Sequence, residues 1–292
     1  MVEQSILTTI AYSDIFAFPL TQDELWRFLI SKEKITKEAF QTSLQLLLTT
    51  RVLSEKDGNY CLRGREVIIT DRQRHRGEVT KKRALAQRII PQLAKIPTVL
   101  FIGISGGLAA GDAKKEDDID LFLIVQKDTL FFSRFFVLAL LQLLGKRRKR
   151  GQQHAANTFC VNFFIDETML LWDEKERDIY TAREIAQVIP MFERGTTYTK
   201  FLTKNRWITE YLPNSLAEKR RPFLHNTSAK KTFAMGFLEK FLRFIQISYM
   251  KGSRTTEVIT NHYLAFHPMD YRSKTLKELR LKMQSLGLLT KL

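Results

Sequence analysis

Hydrophobic positions follow two periods along this chain. Helical spacing comes first: Ile6, Leu7, Ile10 and Ala11, then Leu25, Trp26, Phe28 and Leu29, then Phe40, Leu44, Leu46 and Leu47. Thr21-Gln22-Asp23-Glu24 is a capping box ahead of the second helix, and Thr36 opens the third. Residues 52–55 and 59–62 read as a hairpin around Asp57-Gly58. Leu85, Ile89, Leu93 and Ile96 predict a connecting helix with Pro91 as a kink. Apolar runs at 98–104, 119–125 and 158–166 then read as strands, with a helix near 129–145 between the last two. On the third strand, alternation puts Val161, Phe163 and Ile165 on one face. Cys160, Asn162, Phe164 and Asp166 take the other. From Glu174 onward the pattern is helical, with Thr181 as an N-cap and further helices over 195–212, 230–250 and near 273–284.

Charge changes this picture. Forty-seven Lys and Arg against 31 Asp and Glu give +16, which favours a polyanionic partner: RNA, DNA, a nucleoside triphosphate or an anionic surface. The cations crowd into 63–95, where Arg63, Arg65, Arg72, Arg74, Arg76, Lys81, Lys82, Arg83, Arg88 and Lys95 face only Glu66, Asp71 and Glu78. Two readings compete, a track for nucleic acid or triphosphate and a solvated helix face. Cys61 and Cys160 have no metal-type spacing, so no zinc site is expected, and a reduced, cytoplasmic setting is. The first residues carry acids and lack a basic n-region, unlike a signal peptide. The apolar run 130–144 is interrupted by Arg134 and short for a bilayer, so no membrane partner is expected, although Lys146-Arg147-Arg148-Lys149-Arg150 follows it.

The chemistry concentrates between Thr98 and Val125. A strand runs into Ser105-Gly106-Gly107, a small turn holds Gly111-Asp112, and Asp118-Ile119-Asp120 opens the next strand. Period two puts Asp118 and Asp120 on one face. Two close carboxylates repel unless a cation lies between them, and oxygen ligands suit Mg²⁺ or Mn²⁺. The glycines let backbone N–H groups approach phosphate.

This stretch resembles the signature of the DNA polymerase β-like nucleotidyltransferase superfamily, over roughly 30 residues. Gly106-Gly107 matches the first part, Gly111-Asp112 the small loop, and Asp118-Ile119-Asp120-Leu121 the second part. The three helices and hairpin before it resemble a winged helix. The resemblance implies an α+β chain: a winged helix (1–65), a basic connecting helix (66–96), a small mixed-sheet nucleotidyltransferase core (97–175) and a helical C-terminal region (176–292). It implies transfer of an NMP from an NTP to an acceptor hydroxyl on RNA, a small molecule or a protein, with pyrophosphate released. Asp118 and Asp120 would be the metal ligands, and Ser105, Gly106, Gly107 and Gly111 would hold phosphate. The family's third strand usually supplies a third carboxylate. Here it offers Asn162 mid-strand and Asp166 at its end, and Asn162 cannot act as a base. A regulator that binds nucleotide without turnover, its winged helix on DNA or a protein partner, is the alternative. Arg220 and His225 share the spacing of some helical ribonuclease domains, but Pro222 lies between them. His262 and His267 would need further partners to hold a metal.

Overall fold

The computed structural model describes residues 2–148, 155–217, 222–226, 236–251, 258–260, 262–265 and 270–288. Lys149, Arg150, Arg220, Phe233, Met235 and His267 lie outside them.

The chain is α+β. Its N-terminal module runs α1 (Val2–Ile15), β1 (Leu20–Thr21), α2 (Gln22–Arg27), α3 (Lys37–Thr49), β2 (Leu53–Lys56) and β3 (Asn59–Leu62), with sheet order β1-β3-β2. The helix starts are where the sequence puts them. Thr21 and Glu24 form the reciprocal capping box, and the Thr36 hydroxyl accepts from the Ala39 N–H. Asp57 and Gly58 both take positive φ (53° and 72°), the geometry a two-residue hairpin turn requires. Ile6, Ile10, Leu25, Leu29, Phe40 and Leu44 fill the module's core.

The basic segment forms α4 (Val67–Leu93), with Pro91 in its last turn. Then come β4 (Val99–Ile104), α5 (Gly106–Ala110), β5 (Ile119–Val125), α6 (Leu130–Leu143) and β6 (Phe159–Asp166). They are followed by α7 (Ile179–Gln187), β7 (Ile189–Arg194), α8 (Thr197–Lys204), β8 (Leu224–Asn226), α9 (Gly236–Lys251), β9 (Val258–Ile259), β10 (Tyr263–Ala265) and α10 (Asp270–Ser285). The second sheet has seven strands in the order β8-β7-β4-β5-β6-β10-β9. The region after residue 175 is therefore not purely helical. It supplies four of these strands, because short apolar runs such as 189–192 carry no period that separates a buried strand from a buried helix. The α7 N-cap is Asp178, whose carboxylate accepts from the Thr181 N–H, and not Thr181 itself.

Helices cover both faces of this sheet. On one, Ile102, Leu121, Leu123 and Phe164 pack with Ile89 and Ile90 of α4, Phe131 and Val137 of α6, and Leu242 of α9. On the other, Phe101, Phe122 and Ile124 pack with Ile185 of α7, Phe201 of α8, Leu279 of α10, and Tyr12 and Phe28 of the N-terminal module. The module is thus fused to the larger sheet through a shared core. Asp120, one residue from Leu121 and two from Phe122, belongs to the α7 face by strand alternation.

Strict alternation fails on β6. Leu121 pairs with Val161, but Phe122 pairs with Phe163, so Asn162 is an extra residue in the register. This bulge flips the faces beyond it. Val161 and Phe164 share one core while Phe163 and Ile165 share the other, contrary to the alternation expected from the sequence. Among the described residues, no helix is long and apolar enough to cross a membrane.

Candidate metal centre

Asp118 and Asp120 flank the first residue of β5, and Cys160 lies beside Asp120 on the parallel neighbour β6. One ligand atom from each of the three lies within 4.8 Å of the others. The bulge residue Asn162 completes the group. Its amide nitrogen donates to Asp120 Oδ1, and its amide oxygen accepts from the Cys160 thiol at 2.8 Å.

The pair is electrostatically strained in the absence of a cation. Burial, and then the charge of Asp118, push the Asp120 carboxyl up to about 8. Burial and the two carboxylates push the Cys160 thiol up to about 12, so it stands as a protonated neighbour rather than a thiolate ligand. The donor set available to a metal is therefore two hard carboxylates, which fit Mg²⁺ or Mn²⁺. Arg148 donates to Asp118 Oδ2 at 2.8 Å, placing a cation at the rim.

The glycine turn closes over the pair. Gly106 has φ +62°, and a Cβ there would run into the Asp120 carboxylate. The Ser105 N–H donates to the Asp120 carbonyl at 2.9 Å, and the Ser105 hydroxyl makes no helix-capping bond. Gly107 is exposed, and a Cβ there would meet the Asp112 carbonyl at 2.8 Å. Gly111 (φ +89°) ends α5 and faces Phe18 and Arg72 of the N-terminal half, not the carboxylates.

Two contacts from α4 fix the loop between turn and strand. Lys82, fully buried, donates to the carbonyls of Asp117 (2.6 Å) and Lys115 (3.3 Å), just ahead of Asp118. His75 Nδ1 meets Asp112 Oδ1 at 2.7 Å. Lys82 is thus a structural residue and not part of an exposed basic track. So are Arg72, bidentate to Glu24 and stacked over Phe18, and Arg65, paired with Asp14.

Asp166 is not brought to the cluster. It pairs with Val125, at the opposite end of β5 from Asp120, and lies six steps along the strand from Cys160, about 20 Å. There it is fully buried, accepting from the Thr168 N–H at 2.9 Å and meeting His262 Nδ1 at 2.6 Å. His262 is accordingly a hydrogen-bond partner of Asp166, and His225 lies 3.7 Å from Glu193 on the far side of the sheet.

Glu184 is a further acid near the pair. It lies on α7, which contacts α5 across the face that Asp120 shares. Burial pushes its carboxyl up to about 7, against the opposing pull of Arg183 and Gln187, and its charge reaches Asp120. Nothing local in Thr181-Ala182-Arg183-Glu184 signals this, because proximity to the cluster arises only when α7 packs on the sheet. No family model, curated protein or solved structure matches the chain.

Proposed function

We propose that this chain is a metal-dependent nucleotidyltransferase. It moves a nucleoside monophosphate from an NTP to an acceptor hydroxyl and releases pyrophosphate. The observation that carries the reading is the Asp118–Asp120 pair beneath the Gly106 turn, two carboxylates whose mutual repulsion a divalent cation relieves. The element order α1-β1-α2-α3-β2-β3, with sheet order β1-β3-β2, supports reading residues 1–65 as a winged helix.

When bound, Mg²⁺ or Mn²⁺ neutralises triphosphate charge and assists an in-line displacement. Asp118 and Asp120 hold it. Asn162 orients Asp120 through its amide. The backbone at Gly106 and Gly107, with the Ser105 hydroxyl, takes phosphate oxygens, and Arg148 shifts from Asp118 to the triphosphate. The acceptor oxygen bonds to the α-phosphorus, and the bond from that phosphorus to the bridging oxygen breaks. The electron pair leaves with pyrophosphate. Glu184, with its carboxyl raised toward neutrality, takes the acceptor's proton.

A second reading has its own observation. The β6 positions beside Asp120 are Cys160 and Asn162, neither a carboxylate. A site with two carboxylates can hold metal and nucleotide yet turn over nothing, which would make the protein a nucleotide-dependent regulator.

The experiment is incubation with each α-³²P-labelled NTP and Mg²⁺, with cellular RNA and the protein itself as acceptors. D118A/D120A is the control. Label transferred by the natural protein and lost in the control establishes the enzyme. Metal-dependent binding without transfer selects the regulator. Neither binding nor transfer removes both readings.

A further inference from the structure

The N-terminal module and α10 flank an open, shallow cleft of about 870 Å³. None of the residues of the carboxylate cluster lines it. Part of its wall is apolar and open to solvent: Val52 is 38% and Leu281 56% exposed.

The charges in it divide into two sets. Asp14 is buried and fully engaged, with Arg65 at 2.8 Å on one oxygen and Lys282 on the other, a tie that joins the module to α10. Arg51 and Arg63 also line the cleft. Neither makes a side-chain hydrogen bond or an ion pair among the described residues. Arg63 acts on Glu66 only through space, as a lesser influence than the Ser54 hydroxyl that holds that carboxyl down. Glu278 is the remaining acid, so the lining carries four cations against two acids.

Arg51 is positioned by the end of α3. It sits at φ +57°, in the corner between α3 and β2, where glycine is the residue of least strain. The left-handed turn is the Schellman end of α3, with the Arg51 N–H on the Leu48 carbonyl and the Val52 N–H on the Leu47 carbonyl, and it sets Arg51 at the rim of the cleft.

We propose that this cleft binds a phosphate monoester with an apolar body. Two unpaired guanidiniums match a dianion better than a single carboxylate, and their fork geometry suits phosphate oxygens. The apolar part lies on Val52 and Leu281. The site is separate from the nucleotide chemistry and does not depend on it.

Titration calorimetry of the full chain with n-octyl phosphate tests this. Saturable binding at one site is expected, with inorganic phosphate and octyl glucoside each at least about tenfold weaker, because each lacks one of the two contacts. R51G is the decisive variant. It relieves the strained corner, so its melting temperature holds or rises, while affinity falls at least about tenfold, one lost charged contact. R63A lowers affinity similarly, and D120N leaves it unchanged. Vesicles containing phosphatidate separate the two sources of such a group. Co-sedimentation that R51G abolishes assigns a lipid headgroup, and octyl phosphate binding without co-sedimentation assigns a free metabolite. Absence of saturation, equal affinity for inorganic phosphate, or affinity unchanged in both R51G and R63A overturns the proposal.

Discussion

Gly106 and Asp120 are in such close approach that the glycine's missing side chain is where the carboxylate lies. The turn and the strand are thereby a single structural unit. G106A forces an alanine into φ +62°, a cost of about 1–2 kcal/mol, and drives the Asp120 carboxylate from its place. Metal affinity should fall about 10–100-fold, the range seen when a ligand's support is lost. Mn²⁺ titration followed by electron spin resonance reads this directly. Unchanged affinity would mean that Asp120 is not a ligand.

Protons report on the same pair. The Asp120 carboxyl lies near 8 and that of Glu184 near 7, both above their values in an unfolded chain. The folded, metal-free protein therefore holds protons that the unfolded chain has released. The stability these two groups contribute is fully present below about pH 4 and is lost as the pH rises through about 8. Metal binding must expel the Asp120 proton, so affinity should climb over the same window. Melting curves from pH 4 to 9, with and without Mn²⁺, check both signs. In D120N the metal-free slope should shrink.

Lys82 is a buried cation bound to main-chain carbonyls of Lys115 and Asp117. K82M keeps much of the volume but leaves those carbonyls without their donor, a cost of about 1–3 kcal/mol. Hydrogen exchange should rise in residues 113–118, and nucleotide binding should weaken although Lys82 touches no ligand. A variant with wild-type exchange in that loop would show that α4 does not hold it.

Asp166 and Glu184 separate by turnover. D166N should leave any nucleotidyl transfer intact while lowering the melting temperature, because Asp166 serves Thr168 and His262 at the other end of the strand. E184Q should keep NTP affinity and slow transfer by about 10²–10⁴, the usual worth of a positioned base. N162D would place a third carboxylate beside Asp120 and tighten Mn²⁺ binding. If D166N abolished transfer with its fold intact, the assignment of roles here would be reversed.

The sequence by itself determined the local units. Capping residues placed the starts of α2 and α3, Asp57-Gly58 placed the hairpin, and the spacing of Asp118 and Asp120 fixed their common face. These depend on interactions within a few residues. Tertiary structure decided the rest. One extra residue on β6 moved Asp166 to the face opposite the one alternation gives it, and register is set between strands rather than along one. Strands β7–β10 formed because neighbouring edges offered them hydrogen bonds. Glu184 and Lys82 acquired their positions from how α7 and α4 pack, over distances along the chain that no local period can encode.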